Sequence, residues 1–402
     1  MRHPRIQTAI LSRIAEREGM SNPDPFGDIP LFREIQRLLS SGGGPVNYEI
    51  LGQIARSVAV ESGFDPAPDP ATSRSFAETV HSAETLLVGY TRLSLDEPNL
   101  TLTMTRTEWI ETATKGWRWL LEPLAERFTG QMSEAGPEGS EGSQGGMEAA
   151  MGQIAPLLMG MQGGALIGHL AREVLGRFDL PVTYDDDGKL FLVVANADLV
   201  AGEYGFDNET FYRWIALQET ARAVVSAGAP WLTRYWRSLL LEVVESLEID
   251  MAGLERRMTE LQAGGMEAMQ EGFGPEGALP VVPTERHRKA LERTNAFLAL
   301  FEGYAHHAVG QVSEQVIGDT TIIDEGMSRR DLSPSDGETM LASVLGLSLD
   351  RKLDAAGETF CAAVVQIEGI ASLNRVWDAP DNLPSLAEIK DPFAWMERLG
   401  AS

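Results

Sequence analysis

The chain has 402 residues, 43% of them hydrophobic, with a formal net charge of -26 at pH 7 and one cysteine. That length buries a core without disulfides, and a lone cysteine excludes both an intramolecular disulfide and a cysteine-rich zinc site, which fits a reducing, cytoplasmic setting. The acidic surplus, with no Lys/Arg cluster to offset it, argues against nucleic acid as a partner because phosphate backbones would be repelled.

The first residues carry positive charge but no continuous apolar stretch of signal-peptide length, so secretion is not expected. Apolar spacing predicts helices over residues 6–18, 30–39 and 48–60, a Pro/Asp-rich connection at 65–71, and helix again from Ser75. A further helix is predicted over 107–124, with Thr107 as its cap, Trp109, Ala113, Trp117 and Leu120 on one face, and Pro123 as its stop. Residues 133–146 and 263–277 are rich in Gly and Glu and lack apolar periodicity, so both are expected to be mobile loops. The most membrane-like window, 154–171, contains Pro156, Gln162, His169 and several glycines. It is expected to be a buried helix, with no membrane association. There Gly163, Gly164 and Gly168 would allow close helix approach, and His169 is expected to be a hydrogen-bonded core residue. Two apolar runs, 180–184 and 190–194, flank Asp185-Asp186-Asp187-Gly188 and predict a small hairpin. These elements imply one domain, residues 1–402, mainly α with a small β-sheet (an α+β fold).

The helix predicted after Asp207 ends at Gly228 and Pro230 and poses the chemical question. Phe211, Trp214, Ile215 and Val225 define its apolar stripe. The same spacing places Gln218 and Arg222 on that stripe, with Glu219 at its edge. Burying such groups costs several kcal/mol unless they are paired, so a facing element must answer them. A helix over 284–309 supplies one: Leu291, Leu298, Phe301, Ala305, Ala308 and Val309 form an apolar face that includes Glu302, with His306 one turn further on.

Taken together, several segments resemble a zincin-like family of conserved bacterial proteins, labelled zinc-dependent metalloproteases or associated with deazaflavin coenzyme biosynthesis. They are EWIETATKGWRWLLEPLA, LLMGMQGGALIGHLAREVLGRFDLP, the expected strand ending in Asn196, FYRWIALQETAR with the following APWL, FLALFEGYAHHAV, and NRVWDAPDNLPSLAEIKDPFAWMERL. The resemblance implies a zincin-like metallopeptidase scaffold. In that family the central helix commonly reads His-Glu-x-x-His, two imidazoles binding zinc and the glutamate activating water. The matching positions here are Gln218, Glu219 and Arg222, and Glu302 takes the place of the third zinc ligand. Both imidazoles are therefore replaced, the base survives only as a vestige in Glu219, and neither zinc nor another cofactor is expected. Arginine has no lone pair to give, and a neutral amide is a weak zinc ligand. The expectation is that the Arg222 guanidinium fills the metal position and bridges Glu219 and Glu302. One acid then stays uncompensated, so either His306 supplies a second cation or a carboxylate of raised pKa holds a proton.

Alternatives stay open beside this. The Gln-Glu-x-x-Arg spacing alone is common on solvated helix faces. Glu302, His306 and His307 could form a metal site with Glu219, with Tyr304 close in sequence, although Arg222 would oppose a divalent ion. Function then divides three ways: an inactive binding or scaffold protein that accepts a peptide or protein in the old cleft, a hydrolase using Glu219 with an unusual metal or none, or a structural oligomer. The tryptophan pairs at 117/119 and 231/236, and Cys361, are expected to serve packing. No phosphate loop or G-x-S-x-G elbow occurs.

Overall fold

The computed structural model describes residues 44–60, 65–134, 144–248, 284–346 and 351–400, with isolated positions between 250 and 282. The helices expected at 6–18 and 30–39 and the Gly-rich stretch at 263–277 lie outside the described residues. So do residues 135–143 of the other Gly-rich stretch, whose described flanks are helical rather than loop. Among the described residues there are fifteen α-helices and one two-stranded sheet, so the fold is mainly helical with a small sheet.

Helix α1 (Tyr48–Ala59) begins where Asn47 accepts from the Ile50 amide. Helix α2 (Pro70–Thr91) begins at Pro70 rather than Ser75, because Asp69 accepts from the Ala71 amide at 2.8 Å and Pro70 is preset for the first helical position. After strand β1 (Thr101–Met104), helix α3 (Arg106–Gly116) is capped by Thr105, not Thr107. Thr105 Oγ1 accepts from the Glu108 amide at 3.1 Å and Glu108 accepts from the Thr105 amide at 2.8 Å, a reciprocal box that Thr107 cannot match. Thr107 instead donates to Asp65 through its amide and hydroxyl. The helix breaks at Trp117, and α4 (Arg118–Glu134) carries Pro123 inside it, so the proline forfeits one ladder bond without ending the helix. Helix α5 (Gln144–Leu170) then packs along α1.

The expected hairpin does not form. Strand β2 (Leu190–Val193) pairs in parallel with β1, from Thr101↔Leu190 to Met104↔Val193. Residues 180–184 bury Leu180, Val182 and Tyr184 but join no ladder. Pro181 has no N–H to donate, and side chains claim the run's carbonyls: Trp236 Nε1 donates to Pro181 O at 3.2 Å, Trp119 Nε1 to Thr183 O at 3.1 Å, and Arg237 Nη2 to Tyr184 O at 2.8 Å. All four residues of β2 are buried, as a strand covered on both faces requires.

Next come α6 (Val194–Tyr204), α7 (Asn208–Gly228) and α8 (Leu232–Ser246). They are followed by α9 (Glu285–Val316), α10 (Thr321–Arg330), α11 (Asp336–Leu345) and α12 (Arg351–Glu368). Short helices α13 (Ile370–Leu373), α14 (Leu386–Lys390) and α15 (Pro392–Arg398) close the chain against α9 and α12. The cap at Thr284 starts α9 as expected, but the helix continues past Val309 to Val316. Among the described residues, no helix is long and apolar enough to cross a membrane.

Apolar side chains gather in two clusters, and α7 belongs to both. Its Phe211, Ile215 and Ala216 join the smaller cluster with β2, α6 and α10, while Leu217, Ala221 and Val224 join the larger one with α8, α9 and α12. A helix that packs on several sides has no solvated face to spare for charge. Beyond its exposed first turn, its polar residues Gln218, Glu219 and Thr220 are buried, and the candidate site starts from them.

Candidate functional site

Asp207 caps α7, its Oδ1 accepting from the Thr210 amide at 2.9 Å, so Gln218, Glu219 and Arg222 are displayed near mid-helix. Gln218 and Glu219 are buried at 6% and 3% exposure, which puts Glu219 fully inside rather than at the stripe's edge. Across from them, α9 presents Glu302 and His306. Arg222 Nε donates to Glu302 Oε2 at 2.8 Å, and its Nη2 reaches the same oxygen at 2.7 Å. Arg222 Nη2 also stands 3.5 Å from His306 Nε2. A guanidinium only donates, so a hydrogen bond at that distance uses His306 Nε2 as the acceptor.

The arginine does not bridge two acids. Glu219 turns away, its Oε2 accepting from the Arg177 amide at 2.6 Å and the Phe178 amide at 3.1 Å, while Oε1 stands 3.2 Å from the Phe178 nitrogen. Those amides are presented by the loop after α5, which is pinned to β2. Val193 N–H donates to Leu175 O at 2.9 Å, Gly176 bridges Leu192, and Asn196 Nδ2 donates to Ala171 O and Val174 O. Gly176 is required by the contact itself: a Cβ there would lie 2.4 Å from Glu219 Cδ.

Electrostatics follow from this enclosure. Burial pushes Glu219 up to about 8, Arg222 pulls the other way, and Asp179 adds to the rise. A pKa of about 8 favours the protonated form of Glu219 at neutral pH. Burial alone would lower Arg222, but the Glu302 carboxylate more than offsets it and keeps the guanidinium charged.

The run Glu302-Gly303-Tyr304 serves three neighbours in turn. Glu302 meets Arg222. Gly303 lets α9 touch α12, where a Cβ would sit 2.2 Å from the Gly357 carbonyl carbon. Tyr304 is buried and donates to Asn374 Oδ1 at 2.7 Å, so it supports the C-terminal helices instead of the cleft. His307 likewise lies elsewhere, its Nε2 2.7 Å from the Tyr90 hydroxyl, and burial lowers its pKa. Of the three auxiliary residues expected from sequence, only His306 reaches Arg222.

A cavity of about 380 Å3 opens beside these groups, lined in part by Trp214, Gln218, Glu219, Arg222 and His306. Asp179, Asp324 and Glu358 also line it, and none of them was singled out from the sequence. They arrive from the loop after α5, from α10 and from α12, at separations no spacing rule connects. Gly176 did leave a trace, because a glycine between two apolar runs marks close backbone approach.

These residues do not fit a zinc ion. The two positions that would give imidazoles hold an amide and a cation. Glu302 is taken by Arg222, and Glu219 by two backbone amides. Among the described residues, no group of three His, Cys, Asp or Glu is placed to hold a metal.

The sequence profile of the zincin-like metallopeptidases matches residues 46–396. A solved structure from Chloroflexus aurantiacus, provisionally described as a hydrolase with a novel fold, superposes with a TM-score of 0.63 at 24% identity, covering 89% of this chain and 99% of that one. That likeness is one of fold. No curated protein matches the chain.

Proposed function

The chain belongs to the zincin-like metallopeptidase family, and from that premise we propose that it works as a zinc-free, non-hydrolytic binding protein whose ligand is a peptide or protein segment. One observation carries this: Arg222 and Glu302 are tied together at the positions that the family resemblance assigns to metal ligands. A charge-assisted contact of this kind can join α7 and α9 as coordination would, while offering no Lewis acid to a scissile bond.

Glu219 supports the same conclusion. Its carboxyl oxygens accept from the Arg177 and Phe178 amides, so the group that would activate a water is turned onto the main chain. The cavity of about 380 Å3 falls in the size range of sites that accept a small molecule or one side chain with its flanking backbone.

The test is metal content and cleavage measured together. Protein incubated with excess zinc and desalted at neutral pH is expected to retain far less than one equivalent, and a peptide library is expected to remain uncut with or without chelator. Stoichiometric zinc, or cleavage of the library whether or not chelator is present, would overturn the proposal.

A further inference from the structure

The cavity beside Arg222 holds more acid than base. Asp179, Asp324, Asp331 and Glu358 line it, against two arginines: Arg222 is paired with Glu302, and Arg330, whose Nη2 donates to the neutral Glu173 carbonyl at 3.0 Å, leaves one positive charge facing those four acids. Asp324 accepts from Trp214 Nε1 at 2.8 Å and from Thr320 Oγ1 at 2.7 Å, and Asp179 accepts from the Leu175 amide at 2.9 Å. Those donors are neutral, so they orient the carboxylates without cancelling their charge. Burial and the nearby Asp324 raise the Glu358 pKa, the sign of two acids facing one space.

A second, independent feature lies in the same cavity. Gln218 is 6% exposed and lines it, yet its Oε1 accepts no hydrogen bond from any described residue. Leaving a buried amide oxygen without a donor is costly, and native proteins rarely do so without a reason. The acids are also too dispersed to be ligands of one metal ion, since no three of the described metal-ligating side chains converge. An extended cation with several N–H donors meets both conditions.

We propose that this cavity binds an organic cation, an ammonium or guanidinium group, whose N–H donors reach Gln218 Oε1 while Asp324 and Glu358 balance its charge. This deepens the binding-protein proposal and rests on it. Trp214, Val309 and Met327 give the walls an apolar part along which an aliphatic stem packs.

Titration calorimetry at low salt tests this with n-butylammonium and three blocked tripeptides, Ac-Ala-Lys-Ala-NH2, Ac-Ala-Nle-Ala-NH2 and Ac-Ala-Glu-Ala-NH2. Saturable binding is expected for the lysine peptide, with the norleucine and glutamate peptides weaker by roughly tenfold or more. Binding of n-butylammonium as well would identify a free amine as sufficient; binding of the peptide alone would place the cation on a side chain. The double variant Asp324→Asn/Glu358→Gln, at two exposed positions, is expected to lose the lysine preference, while Asp324→Asn keeps an acceptor for Trp214. Equal affinity for lysine and norleucine, an unchanged double variant, or no saturable binding of either cation would overturn the proposal. Zinc content of the same sample is read separately, so failure of the zinc-free proposal shows as bound metal and failure of this one as a missing charge preference.

Discussion

Arg222 on α7 and Glu302 on α9 meet through one oxygen, with both Nε and Nη2 of the arginine within 2.8 Å of Glu302 Oε2. The geometry is asymmetric, since neither contact reaches the other carboxylate oxygen. One arginine balances one acid, and burial, with Asp179 nearby, pushes the pKa of the second acid, Glu219, up to about 8. The site is therefore an ion pair beside a protonated carboxyl, not a cation shared by two carboxylates.

Removing one partner of this pair should cost more than removing both. Arg222→Ala leaves Glu302 partly buried without its cation and is expected to destabilise the fold by about 2–4 kcal/mol, since 12% and 18% exposure of the two side chains still admits some water. Arg222→Met with Glu302→Leu should recover most of that loss. Urea melts of the two single variants and the double variant give the coupling, and additive effects would show that the contact contributes nothing.

Restoring the imidazoles should restore metal affinity. Gln218→His with Arg222→His recreates the two-histidine spacing on α7 and frees Glu302 to ligate. Zinc bound at one equivalent, measured by elemental analysis after desalting, is the expected outcome, with the unsubstituted chain as control. Failure of the double variant to hold zinc while still folded would mean that α7 and α9 have moved out of ligating register.

Much of this site was legible because helix periodicity is a strong signal. The spacing of Phe211, Ile215, Gln218 and Arg222 placed polar groups on an apolar stripe, and Glu302 fell on the facing stripe. What spacing could not supply was the third direction. Glu219 is satisfied by main-chain amides of residues 177 and 178, and a backbone donor has no sequence signature. The sheet failed for a related reason: the apolar run at 180–184 looked like a strand, but its carbonyls were spent on Trp119, Trp236 and Arg237 from distant helices. Strand β1, four residues with two threonines, was too short and too polar to stand out.

Stability should depend on pH through Glu219. Its folded pKa, about 8, lies above the ordinary 4.5, so the folded chain keeps a proton that the unfolded chain releases between those values. The contribution is complete below about 4.5, declines as pH rises, and is lost by the time pH passes 8. Glu219→Gln imitates the protonated acid while keeping an acceptor for the two amides. Relative to the unsubstituted chain it is expected to gain on the order of a few kcal/mol between pH 5 and 9. Melting curves for both proteins across that range should converge at acid pH and separate at alkaline pH. Parallel curves would rule out a proton on Glu219.

The loop that holds Glu219 depends on a glycine at position 176. Gly176 lies so close to the acid that a methyl group there would overlap it, at 2.4 Å from Cδ and 2.6 Å from Oε1. The main chain cannot withdraw easily, because Gly176 bridges Leu192 and the preceding carbonyl accepts from Val193. Gly176→Ala should thus displace the Glu219 side chain from the 177 and 178 amides, leaving buried polar groups unpaired at a cost of about 2–4 kcal/mol. Shortening the acid relieves the overlap, so Gly176→Ala in a Glu219→Ala background should cost much less than in the unsubstituted chain. A double-mutant cycle from urea melts measures that difference directly. If Gly176→Ala costs the same in both backgrounds, the glycine is required for its own backbone and not for the acid, and the loop would not be what positions Glu219.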